Sequence, residues 1–163
     1  MFARMDARPS IRPVSASDPR SVALIQELDT ELSRSYTREQ MHGLHPGEDS
    51  DPRLRFFLLQ LGDDVIGCGA LRELEPGIAE LKRMFVRPAY RGHGYSRDLL
   101  SQLERAAAAA GIHHLRLETG APQRAALSLY RTSGYVDIPP YGEYAGSLTS
   151  ICMEKRLSSG SDS

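Results

Sequence analysis

The chain has 163 residues, of which 40% are hydrophobic and 25% are charged, and its formal net charge at pH 7 is -1. This length and composition are typical of a soluble domain with a packed core, and they exclude an intrinsically disordered chain. The near-zero net charge gives no support to binding of nucleic acid or of an anionic membrane, so we expect neither as a partner.

The hydrophobic runs in the sequence are short. None approaches the roughly 20 residues of a membrane-spanning helix, and the first residues lack the apolar stretch of a secretory signal. Cys68 and Cys152 each lie inside an apolar run, which favours two buried, reduced side chains over a disulfide framework. These features predict a cytoplasmic protein.

One domain is expected over residues 9–157, because this stretch contains no internal repeat and no long linker. Residues 1–8 are expected to form a loose leader. The serine-rich composition of residues 158–163 predicts a flexible tail.

The N-terminal part predicts a strand and then a helix. The strand covers residues 10–14. Asp18 is a suitable N-cap and Pro19 suits the first helical position. Apolar residues then recur at three- and four-residue spacing to about Ser33. The polar stretch 37–52 predicts a short helical turn near 37–42 and then an irregular loop.

Three strands joined by short turns are predicted next. They cover residues 55–61, 65–74 and 79–86, which is the pattern of an antiparallel meander. Gly67 and Gly69 in the second strand indicate a bulge or a close neighbour.

The rest of the chain alternates helices and strands. Residues 95–110 carry an apolar stripe and end at a glycine. A strand over 114–119, a helix opening at Pro122 and a final strand over 150–157 follow, with a short strand near 135–138. The fold class is therefore α/β (α+β): a mixed, largely antiparallel sheet flanked by helices.

The segment with the most chemical information lies between the third meander strand and the helix at 95–110. A strand ends at Val86, Pro88 breaks it, and a loop with Gly92 and Gly94 precedes a helix that begins at about Tyr95. Glycines let the backbone approach a ligand, and the amides of the loop and helix N-terminus can then bind a pyrophosphate. A simple tight turn explains the loop equally well on its own. It is not a Walker A loop, and it lacks the third glycine of a dinucleotide fingerprint.

Two motifs together resemble the GNAT acetyltransferase superfamily. The family's cofactor loop reads Arg/Gln-x-x-Gly-x-Gly/Ala, and this chain has Arg91 to Tyr95 followed by Ser96, which departs at the last position. A second family phrase, A-x-x-L-Y-x-x-x-G-[FY], matches Ala126 to Tyr135. The match is specific over about 79–135, and the end of the chain resembles a bacterial subgroup with unassigned substrates.

The resemblance implies a GNAT-like sheet, acetyl-CoA as cofactor and N-acetyltransferase activity. It implies that the loop residues bind the pyrophosphate: Arg91, Gly92, His93, Gly94, Tyr95 and Ser96. The backbone of Phe85 and Val86 would pair with the pantetheine arm. A backbone N–H near Met84 or Phe85, at a strand bulge, would meet the developing oxyanion.

Two residues are the catalytic candidates. Glu80 is the candidate base, against the alternative of a strand carboxylate paired with Lys82, and Glu118 is the runner-up. Tyr130 is the candidate acid for the departing sulfur, against the alternative of a core aromatic residue. The histidines show no metal-ligand spacing, so no metal is expected.

The expected reaction is acetylation of the primary amine of a small molecule or amino acid. A non-catalytic acyl-CoA sensor, a protein or peptide N-acetyltransferase and a toxin acting on aminoacyl-tRNA are the alternatives, and the charge gives the last no support. Many family members pair through their C-terminal strands, so a homodimer stays open. The sequence also leaves open whether certain residues line the acceptor pocket: His42, His45, Tyr141, Glu143 and Tyr144.

Overall fold

A computed structural model describes residues 8–34 and 51–158. The strands of the described chain are β1 (Ser10–Val14), β2 (Leu54–Leu61), β3 (Asp64–Glu75), β4 (Ile78–Val86), β5 (His114–Gly120), β6 (Val136–Ile138) and β7 (Ser150–Arg156). The helices are α1 (Pro19–Leu32), α2 (Tyr95–Ala109) and α3 (Arg124–Thr132). The predicted fold class and order of elements are confirmed. The predicted turn at 37–42, with His42 and His45, lies outside the described residues.

The strands form one seven-stranded sheet in the order β1-β2-β3-β4-β5-β7-β6. Every neighbouring pair is antiparallel except β4 and β5, which run parallel. The β4–β5 pairing covers only the first part of each strand and ends where Leu81 faces Leu117. Both strands continue beyond this point, to Val86 and Gly120, so the sheet divides there.

Local signals in the sequence explain most helix ends. The Asp18 carboxylate accepts a hydrogen bond from the Arg20 amide at 2.9 Å and caps α1. Gly111 follows α2 with a φ of 87°, a left-handed conformation suited to glycine. Helix α3 begins at Arg124 rather than at the predicted Pro122, because the Gln123 amide bonds back to the Gly120 carbonyl and forms a turn first.

The sheet carries an apolar core on each face. Helices α2 and α3 pack on one face, where the largest fully buried side chains are Leu59, Ile66, Leu99, Leu100, Leu103, Leu115, Leu117 and Met153. Helix α1 packs on the other face, against β2, β3 and β4, through Leu24 and Leu28. Cys68 and Cys152 are both buried free thiols, as expected. Among the described residues, no helix is long and apolar enough to span a membrane.

The two glycines of β3 lie against close neighbours, as predicted. A side chain at Gly67 would overlap the Phe85 carbonyl of β4, and one at Gly69 would lie 2.6 Å from the Leu103 side chain of α2. The pairing of β3 with β4 shifts its register between Cys68 and Ala70, which is a β-bulge. Glycine at these positions therefore lets β4 and α2 approach β3 closely.

This packing predicts a stability difference between two glycine substitutions. Gly67→Ala should lower the free energy of unfolding by about 1–3 kcal/mol, because the new methyl group meets backbone that cannot easily move. Gly146→Ala is the matched control, since nothing lies within 4 Å of its added atom; we expect it to change stability by less than about 1 kcal/mol. Urea unfolding of both variants measures the difference, and equal effects would contradict the close approach of β4.

Candidate active site

A bulge in β4 shapes the site. Cys68 faces Phe85 and Ala70 faces Lys82, so two residues of β4, Arg83 and Met84, stand opposite the single residue Gly69. Arg83 has a φ of 57°, which for a residue with a side chain costs about 1–2 kcal/mol. The bulge lies just beyond the point where β4 and β5 separate, and it interrupts the β3–β4 hydrogen bonds there.

A cleft of about 660 Å³ opens at this division of the sheet. Its lining comes from the end of β4, the loop before α2, the end of β5, helix α3 and the last turns of α1. Of the predicted site residues, those that line it are Phe85, Val86, Arg91, Gly92, Gly94, Tyr95, Ser96, Glu118, Tyr130 and Tyr144. His93, Glu80, Tyr141 and Glu143 do not line it.

The loop before α2 has room for an anion. Gly92 and Gly94 have φ values of 85° and 81°, and nothing lies within 4 Å of a side-chain atom added at either position. Gly94 is also the N-cap of α2 and offers no side chain to its first amides. Exposed amides at a helix N-terminus suit a phosphate group, so these residues fit the pyrophosphate that the sequence predicts. His93 is exposed, and its ring lies 5.5 Å from that of Tyr95.

Arg91, the first residue of the loop motif, is bound to helix α1. Its guanidinium lies 2.9 Å from one Glu31 carboxylate oxygen and donates to the other at 3.0 Å. It also donates to the Val86 carbonyl at 2.8 Å and lies 5.4 Å from the centre of the Phe85 ring. The arginine therefore fixes the loop against α1 and β4.

Two more arginines, one in β4 and one just after it, form ion pairs with carboxylates of α1. Arg83 donates to Asp29 at 2.6 Å, and Arg87 donates to both carboxylate oxygens of Glu27 at 3.0 and 2.7 Å. Sequence reasoning missed these contacts, because the partners are 54 and 60 residues apart. It also missed Arg97, which lines the cleft from the first turn of α2. Arg97 donates hydrogen bonds to the side chains of Thr132, the last residue of α3, and of Ser133, the residue that follows.

Tyr130 lines the cleft from α3 and is 8% exposed. Burial raises the pKa of its phenol to about 12. The ring meets Tyr135 edge to face at 5.7 Å, and the Tyr135 hydroxyl donates to Glu104 at 2.8 Å. Tyr130 is thus a firmly packed phenol that stays protonated at neutral pH.

The two candidate bases have different surroundings. Glu80 is 2% exposed, accepts a hydrogen bond from the Tyr141 hydroxyl at 2.7 Å and lies 3.7 Å from the Lys82 ammonium nitrogen. Glu118 lines the cleft, is half-buried and accepts a hydrogen bond from the Ser150 hydroxyl at 2.7 Å. Burial raises the pKa of Glu118 to about 7; the Ser150 hydrogen bond opposes this rise and the charge of Glu80 adds to it.

The segment between β6 and β7 covers Glu80. It contains a short 3₁₀ turn at Gly142–Tyr144, and the Tyr141 and Tyr144 rings meet edge to face at 5.4 Å. The Arg116 guanidinium lies 5.4 Å from the centre of the Tyr141 ring. Tyr144 is 2% exposed and reaches the cleft, whereas Tyr141 packs over the sheet.

A family model described as "Acetyltransferase (GNAT) family" matches residues 22–135. The chain is 42% identical over 137 residues to a protein of Azospirillum brasilense named IAA acetyltransferase, covering 83% of this chain and 90% of that one. It is 29% identical over 138 residues to the uncharacterized N-acetyltransferase YsnE of Bacillus subtilis (strain 168), covering 83% and 91%.

Solved structures share the fold. A Klebsiella pneumoniae protein whose name assigns it to the acyl-CoA N-acyltransferases superposes with a TM-score of 0.77 at 31% identity, over 92% of this chain and 98% of that one. A GNAT family acetyltransferase from Elizabethkingia anophelis, solved with acetyl-CoA bound, gives a TM-score of 0.68 at 18% identity, over 92% and 99%.

The open space at Gly94 predicts the effect of filling it. Gly94→Asp should weaken acetyl-CoA binding at least about 100-fold, because it places a side chain and a negative charge where we expect the pyrophosphate. Calorimetric titration measures this affinity.

Gly111→Asp is the matched control. Gly111 lies at the other end of α2, has a similar φ of 87° and also has nothing within 4 Å of an added side-chain atom. We expect a similar loss of thermal stability with unchanged affinity. Equal losses of affinity in the two variants would contradict a specific role for the loop.

Proposed function

Because the chain belongs to the GNAT acetyltransferase family, we propose that it transfers the acetyl group of acetyl-CoA to the primary amine of a small molecule or amino acid by direct attack. Membership confirms the resemblance, and the chain is an acetyl-CoA-dependent acyltransferase. The observation that carries the proposal is that one cleft is lined by the glycine loop, by Glu118 and by Tyr130.

Acetyl-CoA, when bound, supplies a thioester whose acetyl carbon is the electrophile. The backbone amides of Gly92, Gly94 and Ser96 would hold its pyrophosphate. The backbone of Phe85 and Val86, beyond the bulge, would pair with the pantetheine amides as an added strand does. The N–H groups at the bulge would stabilise negative charge on the thioester oxygen.

We assign the general base to Glu118 rather than to Glu80, the first choice from the sequence. A base must reach the acceptor, and Glu118 lines the cleft while Glu80 lies beneath Tyr141. The raised pKa of Glu118, about 7, also suits a group that takes a proton near neutral pH. Glu80 then holds Tyr141 and Lys82 in place and adds negative charge near Glu118.

Tyr130 serves as a hydrogen-bond donor to the departing sulfur. Its pKa of about 12 is well above the value of about 8.5 for an ordinary thiol. Full proton transfer from the phenol to the thiolate is therefore unfavourable, whereas a hydrogen bond from the phenol stabilises the thiolate charge.

A panel of candidate acceptors, chosen from the proposal and from the names of the relatives, tests the proposed reaction. It contains alkylamines, aralkylamines and amino acids, and it includes IAA because the Azospirillum relative is named for it. Release of free thiol, with the product identified by mass, tests the reaction. Binding of acetyl-CoA without acetylation of any amine in the panel would contradict the proposal in favour of a cofactor sensor.

The assignment of Glu118 predicts a pH profile. The base acts as a carboxylate, so kcat should rise with pH through about 7 and level off above it. Glu118→Gln should lower kcat about 100-fold or more and remove this inflection.

Glu80→Gln is the comparison variant. It removes a charge that raises the pKa of Glu118, so the inflection should persist at lower pH. An inflection that survives in Glu118→Gln and vanishes in Glu80→Gln would return the role of base to Glu80.

The assignment of Tyr130 predicts a selective loss of rate. Tyr130→Phe should lower kcat about 10-fold or more with little change in acetyl-CoA affinity. Tyr135→Phe is the matched control, because it removes the hydroxyl of the adjoining ring, whose bond is to Glu104. It should lower stability and leave kcat nearly unchanged, and equal effects of both variants on kcat would remove Tyr130 from the mechanism.

A further inference from the structure

Glu31, in the last turn of α1, lines the cleft beside the glycine loop (residues 91–94). A carboxylate is unfavourable at this position for two reasons. It repels a pyrophosphate bound at the loop, and it lies at the C-terminal end of a helix, whose dipole favours cations over anions. Helix α1 has no basic residue in its last turn to offset this cost. The position of Glu31 therefore depends on a partner outside α1.

That partner is Arg91, the first residue of the glycine loop. Its two terminal guanidinium nitrogens lie 2.9 and 3.0 Å from the two Glu31 carboxylate oxygens, which is the bidentate geometry of a strong arginine–carboxylate pair. The Arg91 Nε atom donates to the Val86 carbonyl at 2.8 Å, and the guanidinium lies 5.4 Å from the centre of the Phe85 ring. One side chain therefore joins α1, the end of β4 and the loop.

The glycines of the loop make such an anchor important. Gly92 and Gly94 have no side chain with which to contact another element, and nothing lies within 4 Å of a side-chain atom added at either position. Glycine loses more conformational freedom on ordering than any other residue, and ordering a loop during binding lowers affinity. A loop that Arg91 already holds in place avoids part of this loss.

Helix α1 gives the ion pair a firm support. Leu24 and Leu28 are buried in the core between α1 and the sheet, and Leu32 packs against the same core. Glu31 lies between Leu28 and Leu32 in the chain, so the packing of these leucines fixes its backbone. The ion pair therefore ties the loop to the core.

We propose that Glu31 is a positioning residue for the cofactor: it holds Arg91, and through it the glycine loop, in the conformation that binds the pyrophosphate of acetyl-CoA. This inference rests on the cofactor site of the proposed function and adds to it a residue that lies outside the loop motif. Arg91 then acts as a link, and backbone amides bind the phosphates. In the opposite arrangement Arg91 is a phosphate ligand for which Glu31 competes.

Glu31→Gln separates the two arrangements by the direction of its effect. The substitution removes a negative charge beside the phosphates, so charge alone would tighten acetyl-CoA binding. We expect the affinity measured by calorimetry to fall about 3- to 10-fold instead, because glutamine cannot form the charged bidentate pair that holds Arg91. Unchanged or tighter binding would overturn the proposal.

Glu27→Gln is the matched control. Glu27 lies one turn earlier on α1 and accepts from Arg87 at both carboxylate oxygens, at 3.0 and 2.7 Å. Its side chain is 40% exposed and that of Glu31 is 34% exposed. Arg87 lies outside the glycine loop, and neither Glu27 nor Arg87 lines the cleft. We expect a similar change in thermal stability with unchanged affinity. Equal losses of affinity in the two variants would assign the effect to the docking of α1 and contradict a specific role for Glu31.

Arg91→Lys tests the link itself. Lysine keeps the charge but lacks the planar fork that binds a carboxylate and a carbonyl together. This variant should lose at least as much affinity as Glu31→Gln, and combining the two substitutions should add little further loss, because both remove the same contact. A lysine variant with nearly full affinity, or one whose affinity rises when Glu31→Gln is added, would make Arg91 a phosphate ligand and overturn the proposal.

Amide hydrogen exchange of the free proteins provides a readout that does not depend on binding. Glu31→Gln should speed exchange at residues 92–97 and Glu27→Gln should not; equal exchange in the two variants would contradict the role of Glu31. A wild-type protein that binds acetyl-CoA but acetylates no amine would contradict the proposed function, and the affinities of the variants would still decide this inference. A wild-type protein that binds no acetyl-CoA would overturn both.

Discussion

The bulge in β4 is the constraint on which the rest of the site depends. The extra residue, with Arg83 in a left-handed conformation, shifts the alternation of side chains along β4 by one, so that Lys82 and Phe85 lie on the same face of the sheet. It also breaks the hydrogen bonds to β3. The parallel pairing with β5 ends at Leu81, just before the bulge. The sheet therefore stays continuous as a scaffold and yet opens a cleft along its middle, with the glycine loop at one end and Glu118 at the other.

Different residues line the two ends of the cleft. At the loop end, Arg83, Arg87 and Arg91 tie β4 and the loop to three carboxylates of α1. The amides at the start of α2 face the same space without a side-chain cap. At the other end, Glu118 of β5 and Lys82 of β4 line the cleft. The loop end suits a polyanionic cofactor and the other end holds the proposed base, so the reacting groups would meet between them, near the bulge.

The parts of this arrangement that follow from local sequence could be predicted, and the parts that depend on distant contacts could not. The cap at Asp18, the apolar stripe of α2 and the glycines of β3 each act through near neighbours, and the elements they predict are confirmed. The choice between Glu80 and Glu118 depends on where the strands separate and on a turn 61 residues away that places Tyr141 over Glu80. The alternation of side chains along a strand does not predict where two strands separate or which distant turn covers them. The ion pairs between α1 and the segment from β4 to the glycine loop were missed because they too join residues far apart in the sequence.

Amide hydrogen exchange with and without acetyl-CoA tests the central claim most directly, namely that the divided sheet and its glycine loop form the cofactor site. We expect slower exchange on binding at residues 84–86 beyond the bulge and at 92–97 in the loop and first turn of α2, with little change in β1 and β2. Binding seen by calorimetry without protection of these two segments, or with protection confined to another part of the sheet, would contradict the account.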